Sequence, residues 1–542
     1  MISLYSETED RFSRYGIQHF IEKFGIPVQV NKPSQSGIAI SYGCHASGDF
    51  VISMEENEIR NAVCGRISTP AGKIVICETP RDTGPGGDVL ATFENDSTQY
   101  PCVVRKKQGI DIGIDLFRET GYLLSGHLDT IRHSLDSSAK NMIASQPCVD
   151  FLEDILFEAI LDGCNERQIP LVQKSFWPEG KTFAVCLTHD VDEIKKTYQW
   201  ISRPLRYLAQ RDLAGFKGQV NSLVQKLRGI EPYYTYDDII GIEKKLGAKS
   251  TYFILRESGN ASLFSKKTWY LYGRNRSLQG REIRALIQKL LANGDEVAIH
   301  GSYFSFNVPG LLREEVQELE QIIHEKVTGT RQHNLNLDIP ATWNYQLAAG
   351  LEYDTSLGFK DMIGFRWGTS FPFYPNCGEK PLPLLEIPLI IMDICLESST
   401  DKVTDCLRIA DEVGLYHGVL NLLWHPPIFN TLEYAEARDI YIKINEHCRE
   451  QGAWLARACD VYQWMMLRNR LSITGSYDEL NKTLTITSDN IGQECYLTIY
   501  LPADAAGDIR SNNAQILRSG NNCIHIKTRD IQDNKEILVG IS

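Results

Sequence analysis

The sequence predicts an α/β protein: a parallel-stranded barrel or open sheet in the middle of the chain, a mixed α/β region before it, and a small β-sandwich after it. Three observations carry this prediction. Between about residues 183 and 448, short apolar runs of strand type alternate with segments of helical period and are punctuated by Gly or Asn, the pattern of parallel strands joined by crossover helices. Several of those runs end abruptly in Asp, His or Arg. From about residue 471 the texture changes to short β-type runs separated by Asn, Asp and Gly, with no helical period, as in a sandwich.

With 542 residues the chain exceeds what one hydrophobic core supports. Three domains are expected: an N-terminal accessory domain over 1–175, the alternating region over 176–470, and the β-sandwich over 471–542. In the first, 74–78 and 102–105 read as strands, and Phe151, Leu152, Ile155, Leu156, Ala159 and Ile160 recur at helical spacing. His45, His127 and His133 stand isolated there, and an isolated His is more often a surface or hydrogen-bonded core residue than a ligand. No catalytic constellation stands out in this region.

The alternating region begins after Pro178, Glu179 and Gly180. Residues 183–187 form an apolar, β-branched run of the kind buried on both faces, and 251–255, 296–300 and 418–425 read as further strands. Residues 281–292 place Ile283, Leu286, Ile287 and Leu290 on one helical face, and 311–327 and 434–448 are helical as well. The insert 202–234 breaks the rhythm, is basic at its start, and reads as a solvated surface excursion. Beyond 471, the runs 483–487, 494–501, 516–518 and 523–527 supply the β-type segments.

Composition narrows the function. The net charge of -13 argues against wrapping a nucleic-acid backbone. The 14 cysteines are scattered without a CxxC pair, which fits reduced thiols better than a disulfide framework. The N-terminus has no basic stretch followed by an apolar one, and no uninterrupted run of 18 apolar residues occurs. A cytoplasmic protein without a membrane partner is therefore expected.

The strand ends carry the chemistry. The first run ends in Thr188-His-Asp-Val-Asp192, which delivers two carboxylates to the edge of a sheet where ligands collect. Paired acids there can hold a metal or take a proton from water, or they can cap the next helix. His300 ends another strand, Arg331 and His333 lie in Thr330-Arg-Gln-His-Asn-Leu335, and His425 ends Leu420-Asn-Leu-Leu-Trp-His425. Polar groups at the ends of buried strands must find partners, and four such ends together favour a site over packing.

From 182 to 464 the chain resembles the polysaccharide deacetylase family, also called the NodB-homology or carbohydrate esterase 4 family, in its HDVD-motif branch. Five motifs appear in the family's order: Leu187-Thr-His-Asp-Val-Asp192, His300-Gly-Ser-Tyr303, Arg331-Gln-His333, Leu385-Glu-Ile-Pro-Leu389 and Leu422-Leu-Trp-His425. Tyr353-Asp-Thr-Ser-Leu-Gly358 and Gly364-Phe-Arg366 are also similar to that branch. The resemblance implies a distorted (β/α)7 barrel that holds a divalent metal, usually zinc, and hydrolyses N- or O-acetyl groups on a carbohydrate or polysaccharide. It implies Asp190 as base oriented by Arg331, His425 as acid, Asp192 and His300 as metal ligands, and Ser302, Tyr303 and Arg366 as substrate contacts.

One position departs from the family's pattern. The second motif ordinarily carries a third ligand, His, four residues after the first, where this chain has Phe304. A phenyl ring cannot ligate a metal, so His333 completes the site, or the metal is held weakly, or it is absent. Val191 stands where the commoner motif has its metal-binding Asp, which leaves Asp190 and Asp192 exchangeable in role. The expectation is a metal-dependent carbohydrate deacetylase; the alternative is a catalytically weak or inactive carbohydrate-binding protein on the same barrel.

Overall fold

The structure is a computed structural model that describes residues 2–541, apart from 34–36, 61, 71, 134, 136, 258–270, 272–273, 275–276, 489–494, 504–508, 512–513, 520–522 and 529–535. The chain gathers into two compact units, one comprising Met1–Thr182, Trp367–Phe371 and Gln463–Ser542, the other Phe183–Arg366 and Pro372–Tyr462.

The first unit contains a nine-stranded mixed sheet, in which the strand expected at 74–78 spans Gly72–Ile76 and the one expected at 102–105 spans Gln99–Lys106. The helix read from Phe151 to Ile160 extends over Cys148–Glu166, with Leu152, Leu156 and Ile160 on its buried face. The same unit holds two antiparallel four-stranded sheets. Ile473–Asp478 and Thr483–Ser488 belong to one, Tyr496–Tyr500 and Cys523–Thr528 to the other. Both share a core that includes Leu484, Ile486, Leu497, Ile499, Ile526 and Val539. Leu171–Lys174 adds to the second of these sheets by pairing antiparallel with Tyr496–Tyr500. Of the strand expected at 494–501, Glu494 lies outside the described residues.

The second unit is the α/β region, and all pairings within its nine-stranded sheet are parallel. Its strands are β1 (Ala184–Val191), β2 (Thr251–Leu255), β3 (Glu296–Gly301), β4 (Gly329–Gln332), β5 (Tyr353–Asp354), β6 (Leu385–Glu386), β7 (Ile391–Met392), β8 (Val419–Leu423) and β9 (Trp454–Ala456). They lie in the order β6-β5-β4-β3-β2-β1-β8-β7, with β9 also paired to β1. Every residue of β1 is buried, as a strand covered on both faces requires. The helices between strands bury one apolar face each: α3 (Tyr236–Leu246) through Ile239, Ile242 and Leu246, α4 (Arg281–Asn293) through Ile283, Leu286, Ile287 and Leu290, and α5 (Leu311–Ile323) through Leu312, Val316, Leu319 and Ile322. The first two stop at Gly247 and Gly294, both left-handed, with φ of 72° and 84°, where glycine avoids the Cβ clash.

The insert after β1 is largely exposed, and it is helical. The segment 202–234 contributes to α1 (Gln199–Gln210) and contains α2 (Leu213–Leu227), two helices joined at Asp212, whose side chain caps α2 by accepting from Gly215 N–H.

Candidate active site

Alternation along β1 sorts the first motif. Side chains at successive strand positions point to opposite faces, so His189 and Asp190 cannot serve the same site. His189 is held between the Trp424 carbonyl at Nδ1 (2.6 Å) and Glu243 of α3 at Nε2 (2.8 Å), a fully used core histidine. Asp190 faces Arg331 at the end of β4, with Oδ1 2.9 Å from Nη1. The guanidinium also donates to Thr188 Oγ1 (2.8 Å), the Thr355 carbonyl (3.2 Å) and Asn421 Oδ1 (3.3 Å), and none of it is exposed. Burial works to raise the Asp190 pKa, but the charges of His300, Arg331 and His425 outweigh it and hold the carboxyl below its ordinary value.

Two residues on, Asp192 meets two imidazoles. Ligand atoms of Asp192, His300 and His333 all lie within 4.8 Å of one another. Asp192 Oδ1 stands 3.4 Å from His300 Nε2 and 3.7 Å from His333 Nε2, and among the described residues this buried oxygen has no partner at hydrogen-bond geometry. The far side of each ring is occupied: His300 Nδ1 is 2.8 Å from the Arg331 carbonyl, and His333 Nδ1 is 3.3 Å from Glu257 Oε2. With a proton on each Nδ1, each Nε2 would be left to ligate, as where an outer carbonyl or carboxylate orients a metal-ligating imidazole; burial works to lower the His300 pKa, but the Asp190 and Asp192 carboxylates outweigh it and raise it. Burial lowers the His333 pKa and favours the neutral ring. Burial opposes ionisation of Asp192, but Arg274, His333 and His300 overcome it and keep the carboxyl well below the usual range. An ionised carboxylate with an unsatisfied buried oxygen and two oriented imidazoles fits a divalent cation by the chemistry of its donors.

On the opposite flank His425 follows β8. Its Nδ1 lies 2.9 and 3.1 Å from the two oxygens of Asp393, and its backbone N–H donates to Asp393 Oδ2 at 2.6 Å. Burial alone would lower the His425 pKa; the Asp393 carboxylate reverses this and raises it to about 9. Asp190, Asp192, His300, His333 and His425 line one cavity of about 330 Å³, together with Tyr303, Asn334, Asn336, Lys360 and the apolar Leu335, Met392, Ile394 and Leu423.

Of the expected substrate contacts, Tyr303 lines this cavity. Ser302 is buried, its N–H donating to Glu315 Oε2 at 3.0 Å, and Arg366 donates to the Gly358 carbonyl at 3.2 Å; neither is among the lining residues. Phe304 is half-buried and packs edge-on against Tyr303, ring centroids 4.9 Å apart. His333, two residues beyond the inward-facing Arg331, is the third member of the donor cluster.

No protein-family model matches the chain, and no curated protein matches it significantly. Solved structures do. One, named as a candidate polysaccharide deacetylase from Mycobacterium smegmatis, is 17% identical over 54% of this chain and 93% of its own, with a TM-score of 0.36. Another, a CE4-family pseudoenzyme from Bacillus anthracis, is 12% identical over 52% of this chain and 65% of its own, with a TM-score of 0.26. A mutant of that pseudoenzyme with restored enzymatic activity gives 12% identity over 52% and 67%, with a TM-score of 0.25. What the site of this chain can do follows from the geometry above.

Residues that sequence reasoning missed are partners of those it found. Asp393 follows β7 directly and Glu257 lies two residues beyond β2, so the strand-end rule reaches both once those strands are known. Strand β7 is two residues long and leaves no periodic signal. Arg274, whose Nη1 is 3.2 Å from Asp192 Oδ2, belongs to no strand, and nothing in its local sequence marks it.

Proposed function

We propose that this chain is a metal-dependent hydrolase that removes N- or O-acetyl groups from a carbohydrate or polysaccharide. The observation that carries the reading is the convergence on one cavity of three ligand atoms from Asp192, His300 and His333, with Asp190 and His425 beside them. A divalent ion held by that triad, zinc being favoured by mixed His and carboxylate donors, would polarise an acetyl carbonyl and lower the pKa of water from about 16 towards 7.

The chain's own residues supply the proton transfers. Asp190, kept ionised and fixed by Arg331, is the base that takes a proton from the attacking water. His425, kept protonated by Asp393, returns a proton to the departing amine or alcohol. Tyr303 is proposed as a sugar contact, with Ser302 and Arg366 shaping the surrounding loops. Among the described residues the cysteines form no disulfide, which supports a cytoplasmic location.

The acid assignment gives a pH profile with a defined sign. The His425 pKa is raised, so the protonated acid is present below about 9 and is lost as pH rises through that value. In Asp393→Asn the main charge opposing burial is gone, and the alkaline limb of kcat/KM is expected to move to lower pH. A limb that stays in place shows that His425 is not the acid.

Phe304 favours a second reading, a metal-free carbohydrate-binding protein, because the family's third ligand position is occupied by a phenyl ring. A panel of acetylated mono- and oligosaccharides, assayed for acetate release and in parallel for binding, separates the two. Acetate release supports the hydrolase; binding with no release across the panel supports the binder.

A further inference from the structure

The helical pair α1–α2 is folded with its apolar stripes outward. In α1, Ile201, Leu205 and Leu208 share one face and are 70%, 61% and 52% exposed. In α2 the stripe is Leu213, Val220, Leu223, Val224 and Leu227, of which Leu213 and Leu227 are 78% and 79% exposed. With Ile230, these make nine of the nineteen exposed large apolar side chains among the described residues. Single exposed apolar residues are ordinary, but a contiguous set marks an interaction surface.

The orientation is fixed from the inside. Glu433, fully buried at its side chain, accepts from Lys196 Nζ (2.6 Å), Ser222 Oγ (2.6 Å) and Gln219 Nε2 (2.8 Å), and Arg203 lies 3.7 Å away. Gly218, Gln219 and Ser222, the small and polar side of α2, are its buried residues. A hairpin held by its polar side presents its apolar side to whatever lies outside.

Charge indicates what that is. Residues 199–230 carry six Lys or Arg (203, 206, 211, 217, 226 and 228) and a single acid, Asp212, a local charge of about +5 within a chain of net charge -13. Arg203, Arg206 and Lys226 are paired with Glu433, Glu397 and Glu231, so the cations facing outward are Arg211, Lys217 and Arg228, all exposed. Two copies of so basic a face repel each other, which disfavours self-association. Apolar stripes bordered by cations on a short helical pair match the interfacial region of an anionic bilayer, where the side chains enter the acyl boundary and the cations meet headgroup phosphates. We propose that α1–α2 docks the protein on anionic lipid surfaces. This departs from the sequence expectation of no membrane partner. Arg206 pairs with Glu397 at 3.1 Å, four residues beyond Asp393, so the docked hairpin borders the segment that carries the His425 partner.

The test uses the full chain and needs no substrate, so it is independent of the hydrolase reading. Co-sedimentation is measured with vesicles of phosphatidylcholine, with and without phosphatidylglycerol, at low and high salt. The chain is expected to pellet with the anionic vesicles only, and less so at high salt. The triple variants Leu205→Glu/Leu213→Glu/Leu227→Glu and Arg211→Glu/Lys217→Glu/Arg228→Glu should each bind at least about 10-fold more weakly, with circular dichroism and melting unchanged because the replaced side chains are exposed. Failure to pellet with anionic vesicles at low salt, or unchanged binding in either variant, overturns the proposal. So does a wild-type dimer in light scattering that the Leu variant dissolves while vesicles are ignored, since the face would then belong to a second copy.

Discussion

Asp190→Asn is expected to lower turnover by about 100-fold or more while the protein stays folded, because a positioned general base contributes about that much. The substitution keeps the shape and one acceptor for Arg331 but removes the basic site. It leaves the guanidinium buried without its counter-ion, yet Thr188, Thr355 and Asn421 still accept from it, so the fold has neutral partners to rely on. Circular dichroism checks that point directly. His425→Ala should be comparably damaging on an acetylated amine or alcohol, whose leaving group needs a proton. It should be spared on an activated acetyl ester, whose leaving group does not; Asp190→Asn should not be spared. Activity that survives Asp190→Asn unchanged would place the chemistry on Asp192 or outside this cavity.

His333→Ala is expected to weaken zinc affinity by about 100-fold or more, since altering even an outer partner of a metal ligand costs about 10–100-fold and this removes a donor outright. Glu257→Gln, which weakens the anchor on His333 Nδ1 but keeps the donor, should fall within about that 10–100-fold range. Phe304→His should add little to the wild type, because Phe304 packs on Tyr303 and is not among the cavity-lining residues. Titration with a competing chelator checks all three. Full affinity in His333→Ala would remove His333 from the ligand set and leave its contact with Glu257 as a structural one.

The parts of the α/β region legible in the sequence were those with enough residues to show a period. Strands β1, β2 and β3 are each at least five residues long and almost wholly buried, so they stand out as apolar runs, and their polar ends pointed to Asp190, Asp192 and His300. Strands β5, β6 and β7 have two residues each and give no pattern, which is why Asp393 went unseen. Pairing between Leu171–Lys174 and Tyr496–Tyr500 joins segments more than three hundred residues apart, and local propensity holds no information about it. The helices of the α1–α2 pair went unassigned for a different reason: their apolar positions are helical in period, but they face the outside of the molecule.

That His333 joins Asp192 and His300 could not be read along the chain either. His333 reaches the cluster from the first position of the turn that follows β4, two residues past Arg331. That relation exists only once β4 is set beside β3, with His300 paired to Arg331 in register.

Metal content after zinc reconstitution and gel filtration tests the central claim most directly. The account predicts about one zinc per chain in the wild type and a clear loss in His300→Ala. Less than about a tenth of an equivalent in the wild type, with His300→Ala no different, would contradict it.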